Sequence, residues 1–102
     1  MDSTDFLAVR GVVSMQDDEI YIHPNDGYDL GLMMDKYPVK IYLNIAQEKF
    51  SAGEGSFTDG HILLKNECKT GTMELSNKQC QILGNPKMAR LFLADGRVLI
   101  SL

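Results

Sequence analysis

The sequence predicts a small α+β domain that is mostly β: a curled antiparallel sheet or barrel of about six to seven strands, with one short helix over residues 77–83 ahead of a C-terminal hairpin. Three features carry this reading. An Asp95-Gly96 pair sits between two apolar runs, several short stretches alternate apolar and polar residues, and one segment from Ser76 to Pro86 has helix-start and helix-stop chemistry. A chain of 102 residues has material for one core, so residues 1–102 are read as a single domain.

From the N-terminus, Leu7, Val9, Gly11, Val13 and Met15 share one face of an extended segment. A turn at Asp17-Asp18 would set Met15 against Ile20 and Val13 against Ile22. The result is a half-buried antiparallel hairpin whose wetter side carries Arg10, Val12, Ser14, Tyr21 and His23. Gly11 within that strand marks a bulge or a close backbone approach. The run Pro24-Asn25-Asp26-Gly27 is turn chemistry. Between Tyr28 and Met34, Leu30, Leu32 and Met34 fit a strand and Gly31 fits a loop, and both stay open. After the Tyr37-Pro38 break, Val39 to Ile45 alternates over seven residues and is a strand with Val39, Ile41, Leu43 and Ile45 inward. Gly53 to Gly60 is a glycine-rich surface loop, and His61–Lys65 and Thr72–Leu75 are shorter strands.

Ser76 can cap a helix, Gln79 completes a capping box with it, Gly84 suits a left-handed stop and Pro86 forbids continuation, which gives a helix of about two turns. In the last hairpin, Asp95-Gly96 favours a two-residue type I′ turn that pairs Ala94 with Arg97, Leu93 with Val98, Phe92 with Leu99 and Leu91 with Ile100. Leu91, Leu93, Val98 and Ile100 then share one face. The other face, with Phe92, Ala94 and Leu99, is also apolar and needs a cover, either the helix or another subunit.

Charge is distributed unevenly. Residues 1–35 hold eight acids against one base, a net of −7, and residues 36–102 hold six acids against nine bases, a net of +3. An acidic pole favours basic partners or complementary self-association and disfavours nucleic acid. The leading expectation is therefore a non-catalytic protein-interaction module that engages a basic partner through Asp17, Asp18, Glu19, Asp26 and Asp29. Surface carboxylates in turns contribute little to stability, so these five are expected to be replaceable together without loss of the fold. A homo-oligomer, most simply a dimer, is the second expectation, since the last hairpin is apolar on both faces.

The runner-up reading is a small-ligand barrel or enzyme. His23, Asp26 and Asp29 place one imidazole and two carboxylates within seven residues, a set that could ligate a divalent metal or supply an acid–base pair. His23 with Glu54, Ser56, Thr58 and Asp59 makes a candidate ligand loop, in which glycine amides could approach an anion although Glu54 and Asp59 would repel phosphate. His61, Cys68 and Cys80 lack the short spacings of a zinc site. No cofactor is called for. A single-strand nucleic-acid-binding barrel is the weakest reading and requires Lys36, Lys40, Lys49 and Tyr42 to line one groove. No run approaches the ~20 apolar residues of a membrane helix, and Met1-Asp2-Ser3-Thr4-Asp5 is acidic where a secretory signal is basic and then apolar. With only Cys68 and Cys80, the expectation is a cytoplasmic protein with two free thiols and no membrane association.

Overall fold

The computed structural model describes residues 1–102. Eight strands and three short helices follow in order: β1 (Asp2–Ser3), β2 (Leu7–Val12), β3 (Glu19–Ile22), α1 (Pro24–Tyr28), β4 (Lys36–Leu43), α2 (Gln47–Ser51), β5 (Thr58–Leu64), β6 (Thr72–Ser76), α3 (Asn77–Ile82), β7 (Met88–Ala94) and β8 (Arg97–Ser101). The strands lie in the order β1-β7-β2-β6-β3-β5-β4-β8, and β8 pairs back onto β7. Seven strands therefore close into a barrel, with β1 laid along β7 outside the ring. No helix is long and apolar enough to cross a membrane.

The terminal hairpin has the register its turn dictates. Ala94 pairs with Arg97, Leu93 with Val98, Phe92 with Leu99 and Leu91 with Ile100. Asp95 and Gly96 both have positive φ, as a type I′ turn requires. In α3 the full capping box is present: the Gln79 amide N–H donates to the Ser76 hydroxyl and the Ser76 N–H donates to the Gln79 side chain. Gly84 takes the left-handed conformation just past its end.

Two expectations are corrected. The sheet is mixed, because β2–β6, β3–β5 and β4–β8 are parallel and alternate around the ring with four antiparallel pairs. The N-terminal hairpin does not form: β6 lies between β2 and β3, parallel to the first and antiparallel to the second. Apart from Val13 the inward faces were legible, but the partner was not. Alternation tells which side chains point inward, and it is silent on which strand supplies the neighbouring hydrogen bonds. Val13, expected inward, is exposed, while Met15 is buried. Gly11 is a close approach, as its position in a strand suggested: a Cβ there would stand 2.8 Å from the Asn77 side-chain oxygen on α3.

Two short helices also replace loops. His23 caps α1 by accepting the Asn25 N–H at its Nδ1, and Pro24 opens the helix, where a missing N–H costs nothing. Residues 29–34 form a loop, not a strand. Helix α2 has no side-chain cap and is held by Phe50, which is fully buried.

Each ring strand sends at least two side chains inward: Leu7 and Val9, Ile20 and Ile22, Val39 and Ile41, Ile62 and Leu64, Met73 and Leu75, Ala89 and Leu91, Val98 and Ile100, with Tyr37, Leu43 and Leu93 partly buried against them. Leu30 and Leu32 from the loop after α1, with Cys80 and Leu83 around α3, complete this cluster. The barrel is filled by its own side chains, as small barrels are. A second cluster lies outside the ring, where Phe50 of α2 and Tyr42 pack on Phe92 and Leu99. The cover that the second face of the last hairpin needs is thus α2, within the same chain.

Gly60 faces inward opposite Val39, and a Cβ at this position would overlap the backbone carbonyl oxygen of Asp18. That same oxygen accepts the His61 N–H at 2.9 Å. Gly60→Ala is expected to cost about 1–3 kcal/mol, read as a lower denaturation midpoint at an unchanged denaturant slope. Leu91→Ala, at a site with no exposed surface, should cost about 2–5 kcal/mol by the same measurement.

Candidate binding groove

An open groove of about 440 Å³ lies on the barrel wall, lined by Pro38, Val39, Lys40, Asp59, Gly60, His61, Asp95 and Gly96. Three local features build it. Strand β8 reaches only as far as Lys40 on β4, so the β7–β8 turn ends beside the middle of β4, with the Lys40 N–H donating to the Gly96 oxygen at 2.9 Å. Pro38, just beyond, has no N–H to leave unpaired at that exposed edge. On the other flank β5 sets Asp59 opposite Lys40 and His61 opposite Pro38.

The contact between Gly60 and the Asp18 backbone brings the acidic Asp17-Asp18 turn alongside the same place. Asp59 and Asp95 thus line the groove, and the Asp18 backbone lies beside it. Glu19 is the β-ladder neighbour of His61, although its carboxylate accepts the Tyr21 hydroxyl at 2.9 Å. The Lys40 ammonium lies 4.7 Å from the Phe57 ring centroid, a cation–π contact that draws it toward the 53–57 loop.

The five carboxylates expected to form one face are divided. Asp17, Asp18 and Glu19 lie at the start of β3, and Asp26 and Asp29 follow its end. A strand of four residues separates the two groups by roughly 13 Å. Asp29 is exposed, but Asp26 is buried and its carboxylate accepts the Gly71 N–H at 2.8 Å. That bond corrects the expectation that all five are interchangeable surface charges. His23 is likewise occupied, capping α1 at the far end of β3 from Asp59. The candidate ligand loop therefore splits: His23 stands apart from Glu54, Ser56, Thr58 and Asp59, and of these only Asp59 lines the groove. Ser56 and Thr58 border a smaller recess of about 200 Å³ with Ile41, Leu43 and Phe57.

Nowhere do three or more His, Cys, Asp or Glu side chains gather closely enough to hold a metal ion. Tyr42, required to line a groove in the nucleic-acid reading, is buried with its ring edge-on to Phe50 at 5.3 Å. His61 and Asp95 were the groove residues that sequence reading did not assign to a common site. Asp95 was visible only as a turn residue, and nothing local shows that its turn ends beside β4.

Cys68 and Cys80 are free and buried. Burial pushes the Cys68 thiol up to about 11, with the Glu74 carboxylate adding to the effect, and burial raises Cys80 as well. Tyr21 is raised by burial and by its hydrogen bond to Glu19. Comparison with protein-family models, curated proteins and solved structures finds no match to this chain.

Two outcomes follow from these groups. Asp26→Ala leaves the Gly71 N–H without its acceptor and should cost about 1–3 kcal/mol, whereas Asp29→Ala should stay within about 0.5 kcal/mol, both read by chemical denaturation. Above pH 9 the unfolded thiols ionise while the native Cys68 keeps its proton to about pH 11. The native state then binds more protons than the unfolded state, so stability is complete below pH 9 and falls as pH rises through this window, which a series of melting temperatures would record.

Proposed function

We propose that this protein is a non-catalytic interaction module whose acidic surface engages a basic protein partner, and that the groove between β4, β5 and the β7–β8 turn receives a Lys or Arg side chain of that partner. The observation that carries the reading is that Asp59 and Asp95 line one concavity and the backbone of the Asp17-Asp18 turn, through Asp18, reaches Gly60 and His61 of its lining. Carboxylates are the natural counter-charge for an ammonium or guanidinium group, and in this groove Asp59 and Asp95 outnumber the one lining cation, Lys40, whose ammonium lies over the Phe57 ring. The packed interior supports it further, since a filled barrel leaves recognition to its outer wall. Surface charge of this kind acts chiefly on association rate and salt dependence. The cytoplasm is the compartment we propose, on the ground that both cysteines are free thiols.

The test is a titration of the isotopically labelled protein with hexalysine and hexaarginine, followed by amide chemical shifts. Saturable shifts at Asp59, His61, Asp95 and Gly96 are expected, weakening as salt rises. A variant with Asp17, Asp18, Asp59 and Asp95 all changed to Asn should bind at least about tenfold more weakly, a loss of about 1.4 kcal/mol. Asn is tolerated at the positive φ of Asp95, so the turn survives this change. A control with Asp2, Asp29 and Asp35 changed to Asn should bind as the parent does. Equal loss in both variants would reduce the interaction to net charge and remove the groove from the account.

A further inference from the structure

We infer that the protein self-associates head to tail, the loop around residues 28–35 of one copy seating against the outer face of β2 and β7 of the next. The inference rests on a different surface from the groove and stands independently of it. Leu30 and Leu32 anchor this loop in the core, at 2% and 6% exposure, yet the residues around them stand in solvent: Tyr28 at 73%, Met33 at 83% and Met34 at 65%. The display is rigid. The Tyr37 hydroxyl oxygen accepts the N–H groups of Met33 at 2.7 Å and Met34 at 2.9 Å, so little entropy remains to be lost when the two methionines are covered. Exposed Asp29 and Asp35 flank them, offset by one exposed base, Lys36, giving an apolar knob with a mainly acidic border.

The complementary surface is on the same chain. Phe6 and Met88, each 49% exposed, lie on the outer side of the β2–β7 pair, where Ala8 is opposite Met88. The Arg90 guanidinium sits 5.1 Å from the Phe6 ring centroid and Lys87 is exposed next to Met88. This patch is apolar with a basic border, offset by one exposed acid, Asp5. The two patches cannot meet within one molecule. The loop lies by Asp2, which pairs with Leu93, five residues along β7 from Met88 and thus roughly 15 Å away. Loop-to-loop pairing would set Asp29 and Asp35 against their own copies, so like charge disfavours a two-fold arrangement and opposite charge favours the heterologous one. Met-rich exposed surface is a common device for such contacts.

The experiment uses sedimentation velocity from tens to hundreds of micromolar with two double variants, Met33→Asn/Met34→Asn and Phe6→Ser/Met88→Ser. The parent should associate with rising concentration. Each variant alone should be monomeric, and an equimolar mixture should form a dimer and nothing larger, because one intact loop meets one intact face. A monomeric parent throughout overturns the inference, as does a Phe6→Ser/Met88→Ser protein that still dimerises by itself, or a mixture that stays monomeric. Should either variant lose its native melting transition, amide shifts of the parent on dilution decide instead. Residues 28–35 must then move together with residues 6, 88 and 90, and movement of only one set overturns the inference.

Discussion

Strand β8 has to satisfy two neighbours at once, β7 through the Asp95-Gly96 turn and β4 through parallel pairing from Lys40 to Leu43, and on that double pairing the barrel closes. An open sheet of these strands would present two edges and a half-covered apolar face. Closure removes both and sets the interior volume. Inward side chains, at least two from each strand, then fill that volume, so a position as small as Ala89 is as fully buried as Ile62 or Leu91. The remaining chain is used to close the barrel mouths and to cover the outer apolar patch at Phe92 and Leu99.

The short connections show how little backbone this takes. Thr4 completes the free edge of β7: its N–H donates to the Leu91 oxygen and its hydroxyl accepts the Leu91 N–H, both at 3.0 Å. Leu30 and Leu32 cross from α1 into the core, and Tyr37 ties down the chain that follows. On the outer wall, the Arg97 guanidinium donates to the Phe50 carbonyl oxygen and lies over its ring, which fixes α2 on β8. One side-chain donor is left over inside: the Gln79 Nε2, although the oxygen of the same amide serves the α3 cap.

Because the interior is used for packing, chemistry and recognition are confined to side chains on the convex wall and to the rims. There the pairing order determines which charges become neighbours. The Asp17-Asp18 turn and Asp59 are about forty residues apart in the chain but adjacent in space, since β3 and β5 are ladder partners. Asp26, nine residues from Asp17, lies at the other end of β3 and serves a backbone amide of the β6 approach. The charge composition of any one site therefore depends on the ladder and not on the net charge of a segment. Cover by α2 also removes the ground on which the last hairpin suggested self-association: its second face is already occupied, and apolar side chains are exposed elsewhere, Tyr28, Met33 and Met34 in one place and Phe6 and Met88 in another among them.

What the sequence determined by itself is local or periodic. The type I′ turn at Asp95-Gly96 set four residue pairs because a two-residue loop admits one register, and the Ser76–Gln79 box set the start of α3 because its hydrogen bonds span three residues. Alternation identified Ile20, Ile22, Val39, Ile41 and Val98 as inward-facing, since successive side chains on a strand must point to opposite faces. In the sequence helix α1 reads as a turn, because Pro24-Asn25-Asp26-Gly27 has turn chemistry, and α2 leaves no signal, being a short helix without a side-chain cap that exists because Phe50 finds a pocket formed by distant residues. The parallel partners, the separation of Asp17 from Asp26 and the meeting of Asp59 with Asp95 were decided by tertiary structure alone. Parallel strands need no turn between them and so leave no mark at short range; which edges meet is settled only when all seven strands must share one closed and filled interior.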